Sequence, residues 1–425
     1  MIRAINVRIY PNKTQRTQIH KTIGCSRFIY NHMLSERREV HKRLRGDVDA
    51  LKKHVYKTEK QHKVEFPFLK EADSITLQAS REHLFEAFRN FFKGLKNGRK
   101  VGFPKFKSKK GKESYTTKQT NGNIKIDFER KKLKLPKLGW LRFRDNREFS
   151  ERIKHATLKK TKSNKYFVSL TLEAQEDVKK LQEVHENDIT AFDMSANYFL
   201  VNKLIKMENP RFYRSEEKKT KKLHREISRK KKGSKNREKV RLKLAKYYDE
   251  ICNRKKDWTH KLTRKLADTF DAIILEDLNV RGMQKFNSGL SKSVSLDFSW
   301  HQFTTFLKYK MEWLGKHFIL VDRFFASSKL CSCCGWKNNN LILRERAWTC
   351  LECGTTHDRD ENASVNLKNE GVRILKEEKH VTIIHDDTHT VGTTGSHAFG
   401  DDVRPKEILQ GLFRQFSRKK ESITL

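Results

Sequence analysis

The chain has 425 residues and a formal net charge of +41, from 93 Lys and Arg against 52 Asp and Glu. This length exceeds one simple core, so we expect two to four domains, and the 10% aromatic content excludes wholesale disorder. The positive charge predicts a polyanionic partner, with nucleic acid ahead of a membrane surface or a heparin-like polymer.

No stretch of the sequence is long and apolar enough to span a bilayer, and the segment "MIRAINVRIYPNKTQ" lacks the apolar core of a signal peptide. We therefore expect a cytoplasmic protein without a membrane partner. Seven cysteines, an odd number that includes CxxC pairs, suit a reduced compartment and a bound metal better than disulfides.

In the N-terminal half, helical patterns are inserted between strand patterns. "AINVRIYPN" alternates apolar and polar residues and predicts a strand that ends at Pro11, and Thr14 to about Glu59 has a basic helical pattern. A strong amphipathic helix is predicted over "ADSITLQASREHLFEAFRNFFKGL", followed by a basic and aromatic loop. Alternating runs between Ile124 and Glu173 predict a small antiparallel β-barrel. The order of the elements is compatible with a return of the first strand to this barrel, which the pattern alone does not show.

The C-terminal half has the pattern of an α/β domain. "DITAFDMSANYFLVNK" predicts two strands, and two basic helices with a hinge at Gly233-Ser234 follow. "DAIILEDL" has the form of a short buried strand, and a further helix and strand come next. The end of the chain, "DDTHTVGTTGSHAFGDDVRP", lacks periodicity and predicts a flexible tail.

Three acidic residues of this half lie at predicted strand ends or helix starts: Asp193, Glu276 and Asp360. A carboxylate at the end of a buried strand projects into the crevice where open α/β sheets bind ligands. Clustered carboxylates repel one another and need a cation, and oxygen ligands with a nucleic-acid substrate favour Mg²⁺ or Mn²⁺ for phosphodiester hydrolysis. Each acid taken alone is also explained as a helix cap or an ion-pair partner, and Asp277 and Asp358 compete for the two later roles.

Cys331-x2-Cys334 and Cys350-x2-Cys353, separated by fifteen residues, predict a zinc ribbon that binds one Zn²⁺. Because Gly335 suits a knuckle turn directly after Cys334, we take Cys333 as the spare cysteine of the first pair. A ligand set with His357 in place of one thiolate, and a cluster of four reduced structural cysteines, remain as alternatives. The ribbon would fix the loop that carries Asp360.

These residues resemble the TnpB family, which comprises transposon-encoded RNA-guided DNA endonucleases related to type V CRISPR effectors. The resemblance spans most of the chain in family order, and it is carried by "RIYPNKTQ", "TLQASREHLFEAFRNFF", "KVGFPKFKSK", "ILEDLNVRGM", "CSCCGWKN" and "WTCLECGTTHDRDENASVNL". In the family's RuvC (ribonuclease H-like) domain, the three catalytic acids fall at Asp193, Glu276 and Asp360. One departure is Ser195, which stands where the family usually has glycine.

The resemblance implies a mixed multidomain fold. It consists of a β-barrel (wedge) domain, residues 1–12 and 97–185, with an inserted helical recognition domain, residues 13–96. A RuvC-like nuclease domain of α/β type follows, residues 186–326 and 355–372, with an inserted zinc ribbon, residues 327–354, and a flexible tail, residues 373–425. The implied partners are a guide RNA from the transposon end and a double-stranded target DNA with a short adjacent motif.

We expect nucleic-acid contacts at exposed polar and basic side chains, because such a protein holds the guide–target duplex by its backbone and leaves sequence reading to base pairing. The candidates are Gln78, Lys100, Lys105, Lys107, Thr120, Lys230, Lys231 and Lys232. A merely solvated basic surface is the alternative. For the whole protein, the alternatives to a nuclease are a guided repressor, a transposition accessory protein that does not cut DNA, and a DNA-strand transferase.

Overall fold

The computed structural model describes residues 2–173, 178–195, 198–285, 294–342 and 344–385, and residue 411. The chain divides into two compact units, residues 1–177 and residues 178–425. Among the described residues, no helix combines the length and the apolar character that a bilayer span requires.

The first unit contains a seven-stranded, fully antiparallel sheet with the order β2-β6-β7-β1-β5-β4-β3. Its strands are β1 (Ile2–Tyr10), β2 (Glu113–Lys118), β3 (Lys125–Asp127), β4 (Lys132–Leu135), β5 (Gly139–Arg144), β6 (Arg152–Lys160) and β7 (Tyr166–Glu173). Every second residue of β7 from Tyr166 to Leu172 is buried. Because successive side chains of a strand point to opposite faces, one face of the sheet forms a core and the other remains open.

The sheet occupies the place of the predicted barrel, but its edge strands β2 and β3 do not pair through their backbones in the described part of the chain. The Gln119 side chain spans this gap, since it donates to the Ile124 carbonyl (3.1 Å) and accepts from the Ile124 amide (2.9 Å). The predicted barrel is therefore a curled sheet whose two edges are joined by the loop 119–124.

Four helices of the first unit lie between β1 and β2: α1 (Lys13–Arg43), α2 (Val48–Lys53), α3 (Glu59–Glu65) and α4 (Ser74–Lys96). Helix α1 starts at a capping box between Asn12 and Gln15, each of which accepts a backbone amide of the other. The predicted helical stretch from Thr14 to Glu59 is interrupted after Arg43, and Gly46 nearby has a φ of +98°. Leu34, Leu77 and Leu84 are fully buried in the core of this helical layer.

The second unit is built on a mixed sheet. Strands β9 (Ile189–Phe192), β12 (Ala272–Glu276) and β13 (His317–Val321) are parallel, with β12 in the middle. The antiparallel pair β10 (Tyr198–Asn202) and β11 (Ile205–Glu208) joins β9 through a bridge between Asp193 and Val201. The resulting order, β11-β10-β9-β12-β13, confirms the predicted α/β class. The middle of the predicted β9–β10 turn, residues 196 and 197, lies outside the described residues.

Five helices belong to the described part of this unit: α5 (Glu217–Ser228), α6 (Lys235–Thr269), α7 (Val280–Met283), α8 (Trp300–Trp313) and α9 (Arg359–Glu377). The predicted hinge is present, because Gly233 has a φ of +86° and the Ser234 hydroxyl caps α6. A Cβ atom at Gly371 would lie 2.3 Å from Ile274 Cγ1, so this glycine lets α9 approach β12 closely.

Four short strands outside the mixed sheet complete the described part of this unit. Strands β14 (Ala347–Thr349) and β15 (Thr356–Asp358) form an antiparallel pair, whereas β8 (Glu183–His185) pairs in parallel with β16 (Thr382–Ile384). The flexible tail predicted from residue 373 therefore starts too early, since α9 continues to Glu377 and β16 is paired. The remainder of the predicted tail, apart from residue 411, lies outside the described residues.

Candidate active site and metal centre

The structure brings the three candidate acids together at one edge of the mixed sheet. Asp193 directly follows β9, and Glu276 is the last residue of the neighbouring parallel strand β12. The pairing of Phe192 with Leu275 places the two acids side by side at the carboxyl ends of their strands. Asp360 lies in the first turn of α9 and is 9% exposed. The backbone of Asp193 is fixed by two hydrogen bonds to Val201, both 2.8 Å long.

The electrostatics of this site show an excess of negative charge. Burial, followed by the charges of Asp360 and Glu276, raises the pKa of Asp193 to about 7, against smaller opposing effects of the Met194 amide and Arg359. Burial, followed by the charge of Asp277, also raises the pKa of Glu276. Carboxylates in such a place need a compensating cation, and an all-oxygen ligand set fits a hard divalent ion.

The three carboxylates form a more open group than a closed single-ion site. Among the described residues, the sets of three or more ligand atoms that lie within 4.8 Å of one another are four cysteines and a group of two histidines with a glutamate. The acidic triad is not one of them. Asp193, Glu276 and Asp360 would hold Mg²⁺ or Mn²⁺ with positions left over for water and phosphate, as Mg²⁺ sites usually have.

The two competing acids have other partners. Asp358 is the N-cap of α9, where it accepts from the amides of Asp360 (3.0 Å) and Glu361 (3.1 Å), and it also pairs with Lys206. Asp277 pairs with Arg323. Asp277 directly follows β12 and lines the same cleft as Glu276, but the charge that raises the pKa of Asp193 is that of Glu276.

Four cysteine thiols converge as the spacing predicts. The sulfurs of Cys331, Cys334, Cys350 and Cys353 all lie within 4.8 Å of one another. The Cys331–Cys353 and Cys334–Cys350 pairs are each 3.6 Å apart, close to the roughly 3.8 Å between ligands of a tetrahedral Zn²⁺ site with bonds of about 2.3 Å. The residues therefore fit zinc.

The remaining candidates near the ribbon lie outside the set of four thiols. Cys333 is exposed and is not part of the group. His357 Nε2 instead lies 3.0 Å from the Cys331 sulfur, where it can orient that ligand. Both knuckles close on a glycine of positive φ, Gly335 (+79°) and Gly354 (+70°). Cys25 and Cys252 are separate from the ribbon, the former buried and the latter exposed.

The ribbon is attached to the helix that carries Asp360. Asn362 accepts from the Ser332 amide (2.9 Å) and donates to the Leu330 carbonyl (2.6 Å), and Asn366 donates to the same carbonyl (2.7 Å). Arg346, which lies between the two knuckles, contacts the Asp360 carboxylate at 3.1 Å. Sequence analysis missed Arg346, because nothing in the spacing of a single arginine indicates which carboxylate it meets.

A cleft of about 600 Å³ opens beside Glu276. Its lining includes the cationic side chains of Arg281, Lys308 and Arg323, and the aromatic rings of Trp300 and Phe318. Cations beside an acidic site can hold the phosphates of a nucleic acid, because charge-assisted contacts to phosphate oxygens are strong. Sequence analysis did not single out these residues, since they come from four separate segments.

The predicted nucleic-acid contacts differ in their surroundings. Exposed side chains are found at Gln78, Lys100, Lys105, Lys107, Thr120, Lys231 and Lys232. Lys107 has contacts of its own, since its ammonium lies 3.9 Å from the centre of the Tyr30 ring and its backbone is fixed to Asn31. Lys230 lies 3.9 Å from Glu226. The role of all eight residues in binding remains a prediction.

Sequence comparison decides the family. A protein of Streptomyces pristinaespiralis described as "Putative RNA-guided DNA endonuclease" is 31% identical over 373 residues, which cover 86% of this chain and 88% of the relative. The chain belongs to the TnpB family. A second TnpB-family relative, "Putative RNA-guided DNA endonuclease InsQ" of Escherichia coli (strain K12), is 26% identical over 390 residues, 88% of this chain and 93% of the relative.

Three family models match successive parts of the chain: a helix-turn-helix domain over residues 1–46, a "Probable transposase" over residues 169–287, and a Cas12f1-like TNB domain over residues 300–367. In this TnpB-family member, the first of these ranges forms strand β1 and the single long helix α1 rather than two helices joined by a turn. The TNB match contains the whole ribbon and the start of α9.

The fold also resembles a solved structure, the Cas12f1 protein of a Cas12f1–sgRNA–target DNA complex. The two chains share a TM-score of 0.51 at 13% sequence identity, over 87% of this chain and 99% of Cas12f1. At this identity, the similarity concerns the fold alone, and it supports the multidomain arrangement that the family resemblance implies.

Proposed function

We propose that this protein is an RNA-guided, metal-dependent DNA endonuclease of a transposable element, which cuts target DNA beside a short adjacent motif. The observation that carries the proposal is the convergence of Asp193, Glu276 and Asp360 from three separate segments, with the pKa of Asp193 raised by burial and by the charges of the other two acids. The names of the two relatives support the same activity. We place the reaction in a RuvC-like domain of a cytoplasmic prokaryotic protein.

The mechanism follows from what each side chain can hold. Asp193 and Glu276, on adjacent parallel strands, and Asp360, on α9, would provide the oxygen ligands of Mg²⁺ or Mn²⁺. When bound, such ions activate water and stabilise the leaving oxygen of a phosphodiester. The Asp193–Val201 backbone pair and the Asp358 cap fix the positions of two of the acids before substrate arrives.

The other parts of the protein would position the nucleic acids. Arg281, Lys308 and Arg323 line the cleft beside Glu276 and would contact backbone phosphates. The exposed basic and polar candidates named above would hold the guide RNA and the target DNA, while base pairing selects the sequence. The ribbon zinc would have a structural role, since four thiolates leave no open position on the ion. The predicted division into wedge, recognition, nuclease and ribbon domains is part of this proposal.

A cleavage assay tests the activity. The protein is purified together with the RNA that it binds in cells, the RNA is sequenced, and matching plasmids with varied flanking sequences are offered in Mg²⁺ and in a Mg²⁺-free buffer. We expect cuts only in matching plasmids with Mg²⁺. Guided binding without any cut would instead identify a repressor or accessory protein, and joined DNA products would identify a strand transferase.

A further inference from the structure

A second set of metal-ligand side chains lies in the first unit, between α1 and α3. His32 and Glu36 are four residues apart on α1, so they share one face of that helix, and His62 comes from α3. Each offers one ligand atom, and these atoms lie within 4.8 Å of one another. We propose that His32, Glu36 and His62 bind a transition-metal ion, Zn²⁺ by preference, which joins α3 to α1.

The geometry of the His62–Glu36 contact carries the proposal. The His62 side chain is 0% exposed, and its Nε2 lies 3.3 Å from Glu36 Oε2. Neither atom has a hydrogen-bond partner, although both are buried. Two ligands of a tetrahedral Zn²⁺ with bonds of about 2.0–2.1 Å are roughly 3.3 Å apart. The spacing therefore fits an ion between the two atoms, whereas buried polar atoms without any partner are costly.

The second nitrogen of His62 faces a carboxylate, although it makes no hydrogen bond to it. Its Nδ1 lies 3.9 Å from Glu65 Oε2, and Glu65 is itself bound by Lys57 at 2.9 Å. Histidines that bind metals usually direct their other nitrogen toward a carboxylate or a carbonyl, which fixes the tautomer. With its proton on the Glu65 side, His62 would present the lone pair of Nε2 to the Glu36 oxygen. In that tautomer a metal ion between the two atoms removes the repulsion of their lone pairs, whereas in the other tautomer Nε2–H would face Glu36 directly, and the metal measurements below distinguish the two.

The seven residues of α3 itself bury no apolar side chain. Its buried residues are Glu59 and His62. Glu59 lies 2.8 Å from Arg81 of α4, while the apolar residue Val64 is 78% exposed. A helix this short is not stable alone and normally depends on apolar packing. A metal bond through His62 would add to the packing of Phe66, which directly follows α3 and lies against Phe28 and His32.

The donor set determines the class of ion. Two imidazoles and one carboxylate suit Zn²⁺ and related transition metals rather than Mg²⁺ or Ca²⁺, which prefer oxygen ligands alone. A hollow of about 390 Å³, lined by Arg27, Phe28 and His32 among others, opens beside one of the three proposed ligands. The proposed site does not depend on the nuclease activity proposed above.

The test measures the metal content of the full-length protein after loading with Zn²⁺ and removal of weakly bound ions. We expect about two Zn²⁺ per chain in the wild type, and about one in Glu36→Gln and in His62→Gln. His54→Gln, a change of a histidine outside the group in the same unit, should retain both ions. If His62→Gln does not fold, Glu36→Gln and the wild-type content still decide the outcome.

A Co²⁺ measurement separates the new ion from that of the ribbon. In Cys350→Ser, the Co²⁺ that remains should give a visible d–d absorption without the thiolate charge-transfer band, and adding Glu36→Gln should remove it. The proposal is wrong if the wild type holds one ion that Cys350→Ser removes entirely. It is also wrong if a second ion persists in both Glu36→Gln and His62→Gln, because that ion would then be bound adventitiously elsewhere.

Discussion

The four-cysteine group and the acidic triad are neighbours in the sequence, because β15 leads directly into α9. They differ in how much of a metal's ligand set the protein itself supplies. The four sulfurs lie within 4.8 Å of one another, with pair distances of 3.6 Å that match a closed tetrahedral site. The three carboxylates are more open, and burial together with Asp360 and Glu276 raises the pKa of Asp193 to about 7. One site has its full ligand set from the protein, and the other lacks both charge balance and ligands.

This difference is the one expected between a structural and a catalytic metal site, since a catalytic site must keep positions for water and substrate. The four-cysteine site supports the acidic site in two ways. Asn362 and Asn366 bind the backbone at the start of the ribbon to the helix that carries Asp360, and Arg346 contacts Asp360 directly. Changes to the triad should therefore remove activity, while changes to the ribbon should act through structure.

The largest expected effect is the loss of cleavage on neutralising a triad acid. Asp193→Asn or Asp360→Asn should lower the cleavage rate by roughly a thousandfold or more, because each change removes a charged ligand and keeps the shape of the side chain. Binding of guide RNA and target should change little, since affinity comes from the basic surface and base pairing. Cleavage and gel-shift measurements on the same preparations check both parts. Near wild-type cleavage in either variant would contradict the catalytic assignment.

The second prediction concerns stability without Mg²⁺. Because the folded pKa of Asp193 is raised to about 7, the folded protein holds a proton that the unfolded chain releases, so the free energy of unfolding falls as pH rises from about 4 to 7. Each unit of pKa difference corresponds to about 1.4 kcal/mol. Asp193→Asn should therefore be stabilising by roughly 2–3 kcal/mol more at pH 8 than at pH 5, as measured by denaturant unfolding.

Mg²⁺ gives the control for this second prediction. Added at pH 8, it should raise the stability of the wild type and leave Asp193→Asn nearly unchanged, because the variant lacks the charge that the ion would balance. If the free energy of unfolding changed equally with pH in both proteins, the protonation of Asp193 would not be the cause of the change.

A smaller effect on cleavage is expected from the ribbon. Cys350→Ser should remove about one Zn²⁺ and lower cleavage by about 10–100-fold, because Asp360 loses part of its support. Cys333→Ser is the matched control and should retain both zinc and activity, since Cys333 is exposed and lies outside the group. Metal analysis decides the assignment, and zinc loss in Cys333→Ser with retention in Cys331→Ser would reverse it.

The smallest effect is expected in the connection between α5 and α6. Neutralising Lys230, Lys231 and Lys232 should reduce the salt dependence of nucleic-acid binding by up to about 1 in the log–log slope for each phosphate that these side chains no longer bind. Lys230 should contribute less than the exposed Lys231 and Lys232, because it lies 3.9 Å from Glu226. An unchanged slope would mean that this basic segment is only solvated.

The sequence predicted the parts of the fold that depend on periodicity and local chemistry. The alternation of β7, the hinge at Gly233 and the CxxC pairs each follow from neighbouring residues, and the structure has them. The sequence alone does not show which of Asp358 and Asp360 caps the helix and which faces the acidic site. That depends on which carboxylate accepts from the amides of the first helical turn. The Arg346–Asp360 contact and the open gap between β2 and β3 were also beyond sequence analysis, since both arise from tertiary packing.

The group of His32, Glu36 and His62 is another tertiary contact that the sequence does not predict. His32 and Glu36 have helical spacing, but His62 reaches them only because α3 folds back on α1. Likewise, Lys107 has the sequence context of a nucleic-acid contact, whereas its ammonium meets Tyr30. Spacing along the chain predicts which residues share one element, and it does not predict which elements meet.

The most direct test of the account compares Glu276→Gln with Asp277→Asn in guided cleavage with Mg²⁺. Glu276 ends β12 and Asp277 follows it directly, so each change removes one negative charge at the same strand end. Glu276→Gln should be inactive and Asp277→Asn nearly fully active, because Asp277 pairs with Arg323 and Glu276 acts on Asp193. An active Glu276→Gln together with an inactive Asp277→Asn would contradict the assignment of the acidic site.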